Sequence, residues 1–147
     1  MDIHHATIIP HNPDLLYEAL TQQRDLEVWM GAPTVARPEV GSVLEFHFDQ
    51  GQRKLIMEVT RLEAGKQVQW RVIQPVWPLQ AADQVITWTL SPYEDKTHVD
   101  FRMEGWPQDD DTYASVSYKW ASFMMRLKIY MGETKEIATF LPQKNSR

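Results

Sequence analysis

Apolar and polar residues alternate with period two through most of this chain, and the period lengthens to that of a helix only after residue 12 and again after residue 110. Val99, Phe101 and Met103 interleave with His98, Asp100, Arg102 and Glu104, the signature of a strand with one dry and one wet face. The same alternation runs through Leu44, Phe46 and Phe48, through Leu55, Met57 and Val59, through Val68, Trp70 and Val72, and through Ile86, Trp88 and Leu90. Turn-forming residues at Asp49 to Gln52 and at Glu63 to Lys66 separate some of these runs, which makes hairpins the simplest connections and the sheet antiparallel. Between Glu58 and Leu62 both phases of the alternation carry apolar residues, so a bulge is expected there.

The first run, Ile3 to Ile9, is a β-branched strand that ends at Pro10, where the ladder loses a donor. Asn12 followed by Pro13 reads as an N-cap and first helical residue. One short helix buries Leu16, Ala19 and Leu20, and a second through Leu26, Trp29 and Met30 stops at Gly31 with Pro33 beyond it. The late segment places Val116, Trp120, Phe123, Leu127 and Tyr130 on one stripe of a long helix. The expected architecture is α+β: a curved antiparallel sheet of about seven strands against a long C-terminal helix, with two short helices after strand one, all in one domain over 1–147.

Length, charge and cysteine count restrict what such a domain does. A chain of 147 residues with 43% hydrophobic content supports one core. Its net charge of -5 and the lack of a Lys/Arg stripe argue against a nucleic-acid partner, which would need clustered cations. Without cysteine there is no disulfide, thiol nucleophile or thiolate ligand, which fits a reducing cytoplasm. No leader pattern or membrane-length apolar run is present, so a soluble cytoplasmic protein without a membrane span is expected.

Few residues announce reactive chemistry. Asp109, Asp110 and Asp111 precede the long helix and read as its cap rather than a metal site, since no calcium-loop spacing accompanies them. His4 and His5 are strand neighbours on opposite faces and are expected to be ordinary strand residues. Nucleophile-elbow, zinc-helix and phosphate-loop motifs are missing, so neither a metal nor a cofactor is expected. What stands out is the aromatic load, with six Trp (Trp29, Trp70, Trp77, Trp88, Trp106 and Trp120) in a fold that a single helix fills with difficulty. Met30, Met57, Met103 and Met124 add adaptable surface, and together these residues predict a pocket rather than a solid core.

The order of elements resembles the START-like helix-grip superfamily, SRPBCC, to which birch-pollen-allergen-like proteins, polyketide cyclases and lipid-transfer domains belong. Within it the chain is similar to the proteins related to the activator of the heat-shock chaperone ATPase. The resemblance is carried by Asn12 to Thr21 with Trp29, by Gly41 ahead of Leu44-Glu45-Phe46, by Lys96-Thr97 leading to Gly105-Trp106, and by Trp120, Leu127-Lys128 and Tyr130-Met131-Gly132. It covers about residues 3–132 and identifies fold more strongly than activity. Many members carry a His two residues before the Gly of the last strand, where this chain has Met103. The chaperone activators also possess a separate N-terminal domain that grips the chaperone, so this chain is expected to correspond to their C-terminal-type module alone. The tail 133–147 extends past the usual family end, and Ile137, Phe140 and Leu141 predict another helical turn or two before Pro142.

The first functional expectation is therefore a module that binds a small hydrophobic or amphipathic molecule between sheet and helix. Its expected lining is Trp29, Phe46, Met57, Val59, Trp70, Trp88, Phe101, Met103, Trp120, Phe123, Met124 and Leu127. Burial of roughly 300 Å² at roughly 25 cal/mol/Å² gives roughly 7 kcal/mol, and association takes back at least about 4. A polar anchor is thus called for, and Tyr113, Tyr130 and Glu58 are the candidates. Residues 74–82, with Pro75, Trp77 and Pro78, and residues 105–112 are the expected rims. Two alternatives stand beside it: a protein-interaction module acting on a chaperone, as the resemblance implies, and a cofactor-free cyclase or aromatase using one buried acid or phenol.

Overall fold

A computed structural model describes residues 2–75, 83–108 and 110–132; the loop aromatic Trp77, Asp109 and the tail beyond Gly132 lie outside the described residues. Strand β1 (Ile3–Ile9) is followed by α1 (Pro13–Thr21) and α2 (Gln23–Met30). Strands β2 (Thr34–Val35), β3 (Val43–Phe48), β4 (Arg53–Glu63), β5 (Gln67–Gln74), β6 (Val85–Tyr93) and β7 (Lys96–Glu104) come next, and α3 (Asp111–Tyr130) closes the described chain. All strands join one antiparallel sheet in the order β1-β7-β6-β5-β4-β3-β2, so a meander from β2 to β7 is completed by the first strand at its far edge. The helix-grip architecture expected from the alternation is the one observed.

Local chemistry sets the ends of the elements. Asn12 accepts a hydrogen bond from Leu15 N at 3.0 Å and Pro13 occupies the first turn, so α1 starts where an orphan donor finds a side-chain acceptor. Asp110 does the same for α3 by accepting from Tyr113 N at 3.0 Å. That bond and a second from the Gln108 side chain hold its carboxyl below the usual carboxylate range. The acidic residue here is thus a cap, as its position before the helix predicts.

Pairing in the middle of the sheet explains the ambiguous stretch of β4. Register shifts occur between Ile56 and Met57 and between Val59 and Arg61. Thr60 is the extra residue at the second shift, and its hydroxyl donates to Gln69 O at 3.2 Å. The inward phase therefore passes from Leu55, Met57 and Val59 to Leu62, opposite Val68. One inserted residue reverses the faces that strict alternation would assign.

The two short helices are locked to the long one through α2's last turn. Arg126 Nε donates to Trp29 O at 2.7 Å, and Trp29 Nε1 donates to Ala19 O at 2.8 Å, so one residue ties α1, α2 and α3 together. Gly31 ends α2 at φ +72°, and a Cβ built there would lie 2.4 Å from Arg126 Nη2. The left-handed backbone favours glycine at this position, and a side chain there would also push the Arg126 guanidinium aside. The Gly31→Ala variant should lose about 2–3 kcal/mol, from a strained left-handed alanine and a displaced Arg126 hydrogen bond. Urea denaturation measures this, and a midpoint equal to that of the parent chain would show that the clamp adds nothing.

Candidate functional site

The inner face of the sheet and the underside of α3 meet in a connected group of rings. Trp88 stands at its centre, edge-on to Phe101 at 4.9 Å, Trp70 at 5.8 Å, Trp29 at 6.1 Å and Trp120 at 6.3 Å between centroids. Trp120 also stacks on Phe101 at 5.1 Å and meets Phe123 edge-on at 5.1 Å, while Phe46 lies edge-on to Trp70 at 6.5 Å. These separations are those of rings in favourable offset or edge contact. They follow from register: Val68, Trp88 and Phe101 lie opposite one another across β5, β6 and β7.

The sequence-predicted lining is brought together, but around itself. Trp29, Phe46, Met57, Val59, Trp70, Trp88, Phe101, Met103, Trp120, Met124 and Leu127 are all buried, and Phe123 packs half-buried against them. The hollow beside Val59 and Trp70, with Leu20, Leu26, Leu44 and Leu62 as further walls, has a volume of about 10 Å³. That is at or below the room one water molecule requires. Where the pattern predicts an open trough, the structure shows large side chains in mutual contact, because the rings carried by β5, β6, β7 and α3 reach each other.

None of the three expected anchors points a polar group into this interior. Glu58 lies on the opposite face of β4 from Met57 and Val59 and accepts from Arg71 Nη2 at 2.9 Å, with Asp83 bound to the other nitrogen of that guanidinium at 2.7 Å. Tyr113 donates to Asp2 O at 2.7 Å, at the N-terminal end of α3. Tyr130, assigned by spacing to the buried stripe, is 37% exposed and donates to Asp25 Oδ1 at 2.5 Å. A strict 3–4 spacing drifts around a helix of 3.6 residues per turn, so by Tyr130 the stripe has turned toward the flank where α2 lies.

Larger hollows are open and lie at the margins of α3. One of about 210 Å³ runs between β1 and α3, lined by His5, Ala6, Thr7, Ala121, Met124, Met125 and Lys128. Here His5 Nε2 sits 3.1 Å from Ser117 O and 3.2 Å from Ser117 Oγ, and Lys128 Nζ donates to Thr7 Oγ1 at 3.0 Å. Its neighbour His4 faces the other way and contacts Asp100 at 2.6 Å. A second hollow, of about 400 Å³, is formed by His11, Leu15, Glu18, Ala19, Asp25, Tyr130, Met131 and Gly132. Within the other expected rim, residues 105–112, Trp106 is buried edge-on to Tyr113 at 5.7 Å. Among the described residues, no group of three or more metal-binding side chains is gathered, and no helix is long and apolar enough to cross a membrane.

Sequence reasoning missed the residues that join elements: His5 with Ser117, Arg126 with Trp29 O, and Asp25 with Tyr130. His5 was within reach, since it shares the inward phase of Ile3, Thr7 and Ile9 on β1. The other two pairs are 97 and 105 residues apart and leave no local signal.

Comparison with known proteins agrees with this geometry. The family model described as activator of Hsp90 ATPase homolog 1-like protein matches residues 10–132. The solution structure of an Aha1 dimer from Colwellia psychrerythraea is similar at TM-score 0.80 and 28% identity, over 89% of this chain and 96% of that one. Protein MLL2253 from Mesorhizobium loti is similar at TM-score 0.78 and 26% identity, over 89% and 96%. PFC0360w, an HSP90 activator from Plasmodium falciparum, shares the fold at TM-score 0.74 and 14% identity, over 91% and 98%. No curated protein matches the chain.

Two outcomes follow from this site. Trp29 and Trp88 are equally buried, yet among the described residues the Trp88 indole N–H has no acceptor while that of Trp29 has Ala19 O. Trp29→Phe should therefore cost about 1 kcal/mol more stability than Trp88→Phe, because only the first breaks a hydrogen bond. Chemical denaturation of the two variants tests the difference, and the reverse order would reveal a hidden partner at Trp88. The second outcome concerns pH. The hydrogen bond to Asp25, aided by desolvation and the carboxylate's charge, raises the Tyr130 phenol above its ordinary value of 10.0. A group raised on folding stabilises the fold below its unfolded pKa, and that contribution fades as pH climbs through the folded one. The melting temperature of the parent chain should fall more steeply above pH 10 than that of Tyr130→Phe; parallel curves would remove the coupling.

Proposed function

The chain belongs to the family of activator of Hsp90 ATPase homolog 1-like proteins, and from that membership we propose that it is a protein-interaction module that engages a chaperone ATPase through its outer surface. The observation that carries this reading is the mutual ring packing beneath α3 among the described residues. Among those residues, rings that would have walled a guest cavity beneath α3 pack on one another. With the apolar interior committed to packing, recognition falls to exposed side chains and the open margins of α3. The same reading extends to this chain the paired state of the relative from C. psychrerythraea, so that two copies associate.

A second reading, uptake of a small apolar or amphipathic guest by repacking the interior, has its own supporting observation. The Trp88 and Trp120 indole N–H groups are buried in the middle of the cluster without an acceptor among the described residues. A buried donor left unpaired costs about 1–3 kcal/mol, which a guest carrying an acceptor would recover. Met57, Met103 and Met124 are walls that adapt to such a change.

One experiment separates the readings. The full chain is added to an Hsp90-type chaperone and ATP turnover is measured, with and without a saturating apolar dye. A rise in turnover that the dye leaves intact supports surface engagement. No complex and no rise, together with dye uptake and a co-purified organic mass in native mass spectrometry, would replace it with guest binding.

A further inference from the structure

The end of α3 stands in the wall of the open hollow of about 400 Å³ that faces α1 and α2. Leu15 of α1 borders this space and is 42% exposed, and Met131 stands across from it. The described chain also leaves the fold here. Met131 N donates to Leu127 O at 2.9 Å and Gly132 N to Ile129 O at 3.0 Å, which finishes the last turn of α3. Gly132 then adopts φ +81°, the left-handed conformation in which a glycine just past a helix ends it. A Cβ built on Gly132 would lie 3.8 Å from His11 Nε2, so the backbone passes close to the residue that leads into α1. Whatever follows Gly132 therefore starts at the wall of the hollow.

Residues 133–147 follow, outside the 10–132 span shared with the family. Ile137, Phe140 and Leu141 are spaced i, i+3 and i+4, which gathers them on one side of a helical turn, and Pro142 stops the run. We propose that this tail turns back at Gly132 and lays Ile137, Phe140 and Leu141 into the hollow, clasping α1 to the end of α3. Length permits it: residues 133–141 in helical form span roughly 14 Å, the same as the nine residues of α1. Tethering selects the tail over a foreign peptide, since a segment attached at the wall meets the hollow at an effective concentration on the order of 1 mM. Charge agrees. Besides His11, the charged side chains of the wall are Glu18 and Asp25, and those of the tail past Glu136 are Lys144 and Arg147.

The cysteine-free sequence lets a single introduced thiol report on the hollow. Leu15→Cys is placed in the full chain and its rate of reaction with a maleimide is followed, alone and combined with Phe140→Glu. Phe140→Glu should raise the L15C rate at least about tenfold, because it expels the tail from the hollow. The rate of Val40→Cys, exposed and outside the hollow, should not change. In a separate variant, Leu15→Cys with Phe140→Cys should close a disulfide within one chain on air oxidation, and Val40→Cys with Phe140→Cys should not. Equal L15C rates with and without Phe140→Glu, together with no intrachain disulfide, would leave the hollow uncovered by the tail and overturn the proposal. Slow labelling that survives Phe140→Glu but fades on dilution, or a disulfide that joins two chains, would put a second copy there and overturn it equally.

Discussion

The edge-to-face packing of Trp88 with the four rings around it is the constraint from which the rest of this structure follows. Trp88 comes from the middle of the sheet, Trp120 from the helix above it, Trp29 from the short helices and Phe101 from the neighbouring strand. Each element therefore has its position set against the same ring. A core of this kind tolerates little displacement, since each ring contact weakens within an ångström and large side chains cannot relax into a neighbour's space. Burial supplies most of the energy, and geometry supplies the uniqueness.

That constraint decides where large side chains fill space and where hollows remain among the described residues. A sheet that curls beneath one helix can hold a cavity, and here Trp29, Trp70, Trp88 and Trp120 are buried against one another beneath that helix. Among the described residues, two open hollows lie at the margins of α3: the groove against β1, where His5 reaches Ser117, and the cleft where Tyr130 meets Asp25. The inner stripe of α3, Val116, Trp120, Met124 and Leu127, belongs to the fold.

The joints between elements are polar and sparse. Arg126 closes on the Trp29 carbonyl, Lys128 on the Thr7 hydroxyl and His5 on the Ser117 backbone, so three side chains fix the helix to β1 and α2. Each is a hydrogen bond at the edge of an apolar contact, where a misplaced helix would leave a polar group without its partner. Such bonds add modestly to stability and strongly to orientation.

Much of the fold was readable from residue order alone. Proline and asparagine marked the start of α1, aspartate the start of α3, glycine the end of α2, and the two periodicities separated strands from helices, because those signals act over a few neighbouring residues. The doubled apolar phase between Glu58 and Leu62 even disclosed the bulge at Thr60. The set of inward side chains was legible too, since alternation fixes which face a residue occupies. Whether those side chains surround a space or fill it was not legible. That outcome depends on rotamers and on distances between residues such as Trp88 and Trp120, 32 positions apart, and a change of an ångström in backbone separation decides it. The same holds for Glu58, Tyr113 and Tyr130: their chemistry was visible in the sequence, but their partners Arg71, Asp2 and Asp25 are brought to them only by the folded chain. Local pattern determined the elements and their faces, and tertiary packing alone decided that the inward rings of the described residues meet one another.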